Sequence, residues 1–468
     1  MIPYLPKQIS NRAIVVYLIA LAAVSILYFG YAMSLGYMLL GITFVTGFFL
    51  SSSYFSSYWR LLPVRKYVQS LFLLAVSLRL IWVVASYFYY TAATGIPFEF
   101  GAADSLSYHR GASLLSEYDW GFIFQYYFGD LSRGVSDLGY YVCLTSFYKI
   151  FGNSIILPRL IKAFLSAYTC ILIYHLSVRT FGEDVGRMAG IMASLMPNLI
   201  IYCGFHLKET EMIFITIAFL ERVDYLLRSK RISFWNVLLP SLLALSLFFF
   251  RTVLGAAAVF SFASAVLFSS APSMKKGGRR VALIAWGILG LLVAGGGTIM
   301  TEVESFWEDR DESVVRKRTE QTLRGNQWAK YATGTVMAPM VFVLPFATMV
   351  NVDQQYGQQE KHGGNYIRNF MGFFAILAVY EALRRKQWRD FSLIGSFVIA
   401  YLGVVSLSGF SNSERFLLPG LPCLIMMWAY GVSSLRQQTY KLLMPWSVLV
   451  CAMEIAWAFF KLGSRGLF

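Results

Sequence analysis

Charge is what this chain has least of. Only 14% of its 468 residues are Asp, Glu, Lys or Arg, against about 25% in soluble domains. Acids are the scarcer sign, 25 against 40 basic residues. Cysteine is nearly absent too: Cys143, Cys170, Cys203, Cys423 and Cys451 all fall in apolar stretches, with no CxxC pair and no metal-ligand spacing. Neither a disulfide framework nor a zinc site is expected. There is no internal repeat, no low-complexity linker and no soluble domain, so a repeat-built transporter architecture has no support.

What is abundant is apolar sequence. Hydrophobic residues make up 57% of the chain, in runs near or above the ~20 residues that cross a bilayer. The expected fold is an all-α polytopic membrane protein. A transmembrane barrel would show alternating segments of about ten residues instead. The first run, about 13–33, is too long for a signal-peptide core and reads as a retained helix. The net charge of +15 reads as the positive-inside signal rather than as a nucleic-acid surface.

Basic clusters stand at 59–66, 228–231, 275–280, 384–389 and 436–441. Placing them all in the cytoplasm orients the chain. About 13 spans result, near 13–33, 36–57, 67–91, 155–178, 186–205, 209–227, 234–250, 252–270, 281–301, 367–383, 391–409, 416–434 and 442–460. Segment 138–150 is too short to span and reads as a half-inserted helix; 333–350, with Pro339 and Pro345, reads as re-entrant. Two large loops, 92–137 and 302–366, then lie on the same outer side.

The chemistry is expected there. The stretch FGAADSLSYHRGA (100–112) puts Asp104 and Tyr108 four residues apart, on one face of a helix, with His109 turned elsewhere. Glu117, Asp119, Asp130 and Asp137 follow in the same loop, a concentration of acids that a solvated loop explains poorly in so acid-poor a chain. As a plain structural reading, Asp104 caps a helix beginning at Ser105. In HLKET (206–210), Lys208 and Glu209 stand between two apolar runs, where charge is costly unless paired or functional. The structural reading is an ion pair internal to that turn; the functional one is that Glu209 faces the Asp104 loop. Arg159, Lys162, Arg251 and Arg415 lie at or near the outer surface by this topology. Arginine matches phosphate bidentately, so these side chains suit a lipid-linked phosphate, with snorkelling as the structural alternative. The charged stretch 307–328 reads as a solvated or surface-lying helix without a catalytic residue.

Taken in order, the motifs ADSLSYH, YYVCLTSFYKIFGNS, PRLIKA, MPNLIIYCGFHLKET and ERFLLPGLPCLIMMWAYG resemble those of the GT-C superfamily of integral-membrane glycosyltransferases. The resemblance is greatest to the bacterial protein-mannosyltransferase and aminoarabinose-transferase group, and it spreads over most of the chain. It departs from the group in two added N-terminal helices, in Asp104-Ser105 where many relatives carry two adjacent acids, and in Lys208-Glu209 where many carry Thr-Asp or Ser-Glu.

The resemblance implies two extra helices over 1–66, a GT-C-like module over 67–301, a second outer loop with the re-entrant segment over 302–366, and C-terminal helices over 367–468. It implies transfer of a sugar from a polyprenyl-phosphate carrier to a glycan, lipid or protein acceptor, usually with inversion, at the outer face of a bacterial inner membrane and with no nucleic-acid partner. Asp104 and Glu209 are then the catalytic candidates: Asp104 as general base, Glu209 to orient the acceptor or hold a metal. Tyr108, His109, Arg159, Lys208, Arg251 and Arg415 are the substrate-binding candidates, and the carrier tail would lie near 252–270 and 333–350. Charge on the leaving phosphate would be met by arginine and lysine or by a divalent cation, Mg or Mn, on Asp104 and Glu209; the sequence leaves this open. Two other functions stay open: a polysaccharide polymerase using lipid-pyrophosphate oligosaccharides, and a lipid-linked-sugar flippase.

Overall fold

A computed structural model describes residues 2–128, 136–229, 233–268, 281, 286, 340–352, 356–407, 413–463 and 467. The expected span at 281–301 apart from Val281 and Trp286, the loop stretch 302–339 with its charged helix, and Asp130 lie outside the described residues. Among the described residues the chain is helical with no strand, only an isolated bridge between Ala32 and Val350.

Helices α1 (Lys7–Leu27), α2 (Leu35–Trp59) and α3 (Val64–Thr94) open the chain. Two shorter helices, α4 (Ala103–Ser116) and α5 (Trp120–Phe128), occupy the first expected outer loop. Then come α6 (Leu138–Phe151), α7 (Ile156–Phe181), α8 (Glu183–Leu195), α9 (Pro197–Gly204), α10 (Glu209–Arg228), α11 (Phe234–Phe250) and α12 (Thr252–Phe268). Helices α13 (His362–Arg384), α14 (Ser392–Leu407), α15 (Glu414–Ser433) and α16 (Gln437–Gly463) complete the bundle.

Seven of these are long and apolar enough to cross a bilayer: α1, α2, α3, α7, α13, α15 and α16. The protein is an integral membrane protein. The count becomes eight if the bent pair α8–α9 is one span, and α11, α12 and α14 are shorter apolar helices. The expectation of about 13 spans is therefore met in part. The expected span 209–227 is helical as part of α10 but carries Glu209, Glu211, Glu221, Arg222 and Asp224, too many charges for an apolar crossing. The first span begins at Lys7, ahead of the expected start. Segment 138–150 is the single helix α6, which packs against α4.

The span expected at 186–205 is broken, with α8 and α9 meeting at 55°. The cause is local. Pro197 has no N–H to give the carbonyl of Ala193, four residues back. The guanidinium of Arg79, fully buried in α3, takes that place. Its Nη2 donates to Ala193 O at 3.2 Å and its Nη1 to Ser194 O at 3.0 Å, while Nε donates to Ser166 Oγ at 2.7 Å. A break in a helix within an apolar bundle needs such donors, because lipid supplies none.

Segment 340–352 is no helix over most of its length, and residues 343–350 are buried. Its carbonyls are met by α13: Asn369 Nδ2 donates to Val343 O at 2.6 Å and to Pro345 O at 2.9 Å, and Arg368 Nη2 to Val341 O at 3.1 Å. The N–H of Asn351 donates to Tyr31 O at 2.7 Å. Irregular backbone at such a place needs partners from the protein itself, because lipid supplies none.

The bundle holds buried charge inside spans: Arg79 in α3, Arg368 in α13 and Glu454 in α16.

Candidate active site

The site is assembled from helix ends. Asp104 stands in the first turn of α4, inside the helix rather than capping it. Glu209 is the first residue of α10, and Arg415 the second of α15. A carboxylate in a first helical turn also benefits from the unpaired N–H groups there.

Arg415 draws the two acids together. Its Nε donates to Glu209 Oε1 and its Nη1 to Asp104 Oδ2. Burial is graded across the trio: Glu209 is fully enclosed, the Arg415 side chain is 21% exposed and that of Asp104 is 60% exposed. Asp104 is thus a carboxylate held by a charged hydrogen bond and still exposed.

Beside the trio, Lys208 pairs with Asp137, just before α6, and donates from Nζ to Phe250 O at 2.7 Å. That carbonyl is an orphan at the C-terminus of α11, where a cation is favoured. The ion pair expected within the Lys208-Glu209 turn does not form: each residue pairs outward, with a different element. Burial, followed by repulsion from Arg251 and Arg415, pushes the Lys208 ammonium down to about 7, with Glu209 and Asp104 pulling the other way.

Arg251 occupies the extended break between α11 and α12. Its guanidinium lies 4.5 Å over the Phe416 ring, and Nη1 donates to the Tyr401 hydroxyl at 3.4 Å. Tyr401 in turn donates to Phe416 O at 2.8 Å. Arg251 and Arg415 therefore approach the same turn of α15. Tyr108 shares the Asp104 face as expected, packed edge-on against Tyr140 at 4.8 Å; burial pushes its hydroxyl pKa up.

Two expected site residues lie elsewhere. His109 turns from Asp104 into a separate chain: its Nδ1 meets the Tyr148 hydroxyl at 2.8 Å, which meets His206 Nε2 at 2.8 Å. Burial lowers both histidines, helped by Arg159 beside them, His206 the more strongly. Arg159 is fully buried, 5.3 Å over the Phe98 ring. Neither is joined to the Asp104–Arg415–Glu209 trio.

In the sequence Asp137 is one acid among several in its loop, and nothing there marks its partner. The role of Lys162 is equally hidden. Lys162 Nζ donates to Phe205 O at 3.2 Å, to Leu207 O and to the Tyr140 hydroxyl at 3.0 Å, and stands 3.5 Å from Glu211. It holds the irregular backbone just before Lys208 and Glu209. The same holds of Tyr401 and Glu99; Glu99 accepts from Ser105 Oγ, the neighbour of Asp104. Position in the sequence signals none of these contacts.

The donor set between Asp104 and Glu209 suits an arginine. A divalent cation bridging the same oxygens would take the place of the Arg415 guanidinium, and among the described residues no three His, Cys, Asp or Glu gather to hold a metal.

No family model matches this chain, and no curated protein matches it. Among solved structures it is similar to the archaeal oligosaccharyltransferase AglB from Archaeoglobus fulgidus in complex with an inhibitory peptide and a dolichol-phosphate. That match has 13% identity over 88% of this chain and 56% of the other, with a TM-score of 0.45. It is similar also to the Archaeoglobus fulgidus oligosaccharyltransferase in complex with Zn and sulfate, at 13% identity over 86% of this chain and 52% of the other, with a TM-score of 0.44. This chain spans little more than half the length of either.

Proposed function

We propose that this protein is a GT-C-type membrane glycosyltransferase. It takes a sugar from a polyprenyl-phosphate-linked donor and passes it to a hydroxyl of a glycan, lipid or protein acceptor. The site faces the outside of a bacterial inner membrane, in cell-envelope polysaccharide or glycoconjugate synthesis. One observation carries the reading: an exposed aspartate, a buried glutamate and an arginine from three distant segments meet at helix ends, with Arg251 and Lys208 alongside.

In the proposed reaction the acceptor oxygen bonds to the sugar's anomeric carbon as the bond from that carbon to the phosphate oxygen breaks. Asp104 takes the hydroxyl proton through the oxygen that Arg415 leaves free, a step of the kind that contributes about 10²–10⁴-fold. The departing lipid phosphate carries the bonding electron pair. Arg251, with Arg415 and Lys208, meets that charge where water is scarce. Glu209 holds Arg415 and, through it, the aim of Asp104.

The test is transfer by the purified protein in lipid, with radiolabelled undecaprenyl-phosphate sugars and a membrane glycan extract, in the presence and absence of EDTA, beside Asp104→Asn. Asp104 is exposed, so the substitution should leave the fold intact and abolish product. Near-normal product from that variant removes Asp104 from the mechanism. No product from any monosaccharide donor, with product from a lipid-pyrophosphate oligosaccharide, would establish the polymerase instead. Movement of lipid-linked sugar across vesicles without any glycosidic product would establish the flippase.

A further inference from the structure

A cleft of about 700 Å³ runs along α4 from Ala103, the chain neighbour of Asp104, lined also by Ser107, Arg110, Gly111, Tyr126, Tyr127 and Tyr141. Its size suits a small-molecule site. Its walls are α4, α5 and α6. At 100° per residue, Ser107, Arg110 and Gly111 share a face of α4 whose border is the Asp104 position. The Asp104 carboxylate thus stands next to the lining face, one residue from Ala103 of the cleft wall.

The lining has a definite chemistry. Tyrosine rings offer apolar bodies with polar tips, as a pyranose offers an apolar C–H face with hydroxyls at its edge. Ser107 Oγ and the Tyr141 hydroxyl meet at 3.1 Å, and the Tyr127 hydroxyl meets Thr145 Oγ1 at 2.7 Å. A Cβ at Gly111 would come within 3.0 Å of the Tyr141 ring, so glycine lets that ring lie close to α4 and form a wall. Outside the cleft the aromatic surface continues through stacked rings, Tyr118 on Phe122 at 4.5 Å and Phe122 on Tyr126 at 6.3 Å. Arg110 is exposed at the rim and supplies a planar fork that fits a carboxylate.

Other occupants fit less well. An acyl chain gains nothing from hydroxyls and a guanidinium. A peptide would seek backbone partners, and helical walls have spent theirs internally.

We propose that this cleft is a subsite for an acidic oligosaccharide, a glycan bearing uronic-acid carboxylates, which presents its hydroxyl to Asp104. The use of that hydroxyl as acceptor rests on the glycosyl-transfer reading; the binding itself does not. The measurement is calorimetric titration of the Asp104→Asn protein in nanodiscs, which binds without turnover. The ligands are trigalacturonate, neutral maltotriose and an acidic tripeptide. Trigalacturonate should bind saturably and at least about tenfold more tightly than maltotriose. Arg110→Ala should bring it down to the maltotriose level, Arg110→Lys should recover part of the loss, and Gly111→Leu, which fills the cleft, should weaken both sugars. Absence of saturable saccharide binding, equal affinity for the two sugars, indifference to Arg110→Ala, or preference for the tripeptide would each overturn the proposal. Saccharide binding without product in the transfer assay would uphold the cleft and sink the transfer reading alone.

Discussion

Asp104 and Glu209 share one guanidinium. The acids come from different helices, α4 and α10, and Arg415 of α15 bonds both. The exposed acid thereby takes its position from the buried one, so a change at Glu209 should be felt at Asp104 without touching it.

Removing Arg415 should cost stability as well as activity. Arg415→Ala leaves Glu209 enclosed without its partner, a loss of about 3–5 kcal/mol for a buried charge pair broken on one side. Arg415→Ala combined with Glu209→Gln should recover a large part of it, because the stranded charge is gone. Thermal unfolding of the two single variants and the double variant measures the coupling. Strictly additive losses would show that the two residues do not act as a pair.

Arg251 should govern the donor. Its guanidinium stacks on Phe416 beside the Arg415 turn and belongs to no ion pair with Asp104 or Glu209. Arg251→Ala is expected to raise the apparent KM for the lipid-linked donor several-fold while leaving that for the acceptor in place. Titrating each substrate separately decides this; an equal rise in both assigns Arg251 a structural role.

A stability profile should report Glu360. Its carboxylate accepts from the Tyr90 hydroxyl at 2.6 Å. Burial raises its pKa to about 7, against the opposing pull of Tyr90 and Lys361. The folded chain then keeps a proton that the unfolded chain gives up, between the ordinary carboxylate range and about 7. Stability falls as pH rises through that window. Glu360→Gln should flatten the profile over the same range. Thermal unfolding between pH 5 and about 8 reads the difference, and identical slopes in the two proteins would remove Glu360 as its source.

Arg79 should prove structural. Arg79→Met strands the carbonyls of Ala193 and Ser194 at the α8–α9 break, at about 1–3 kcal/mol for each unmet group. A lowered unfolding temperature, with the donor KM unchanged in the folded fraction, is the expected outcome. A selective change in donor KM would place Arg79 in substrate handling.

Membrane character, helical class and the residues worth suspecting were legible in the sequence, because each follows from composition and local order. Scarce charge and long apolar runs can be met only by helices in lipid. Acids at helix starts and basic residues between apolar runs stand out for the same scarcity. Partners were not legible. Lys208 and Glu209 are neighbours in sequence, yet one reaches Asp137 and the other Arg415. His109 is five residues from Asp104, yet it joins Tyr148 and His206. Pro197 is visible in the sequence, but 186–205 reads there as one span; the break at Pro197, and the Arg79 from another helix that sustains it, belong to the bundle.

Composition and local order alone establish that this chain lives in a membrane as packed helices, and they mark a few polar side chains at the ends of its apolar runs. Which of those side chains meet is a property of the assembled bundle. Ion pairs form across space, between helices whose packing depends on every apolar face at once, and no local pattern records that sum.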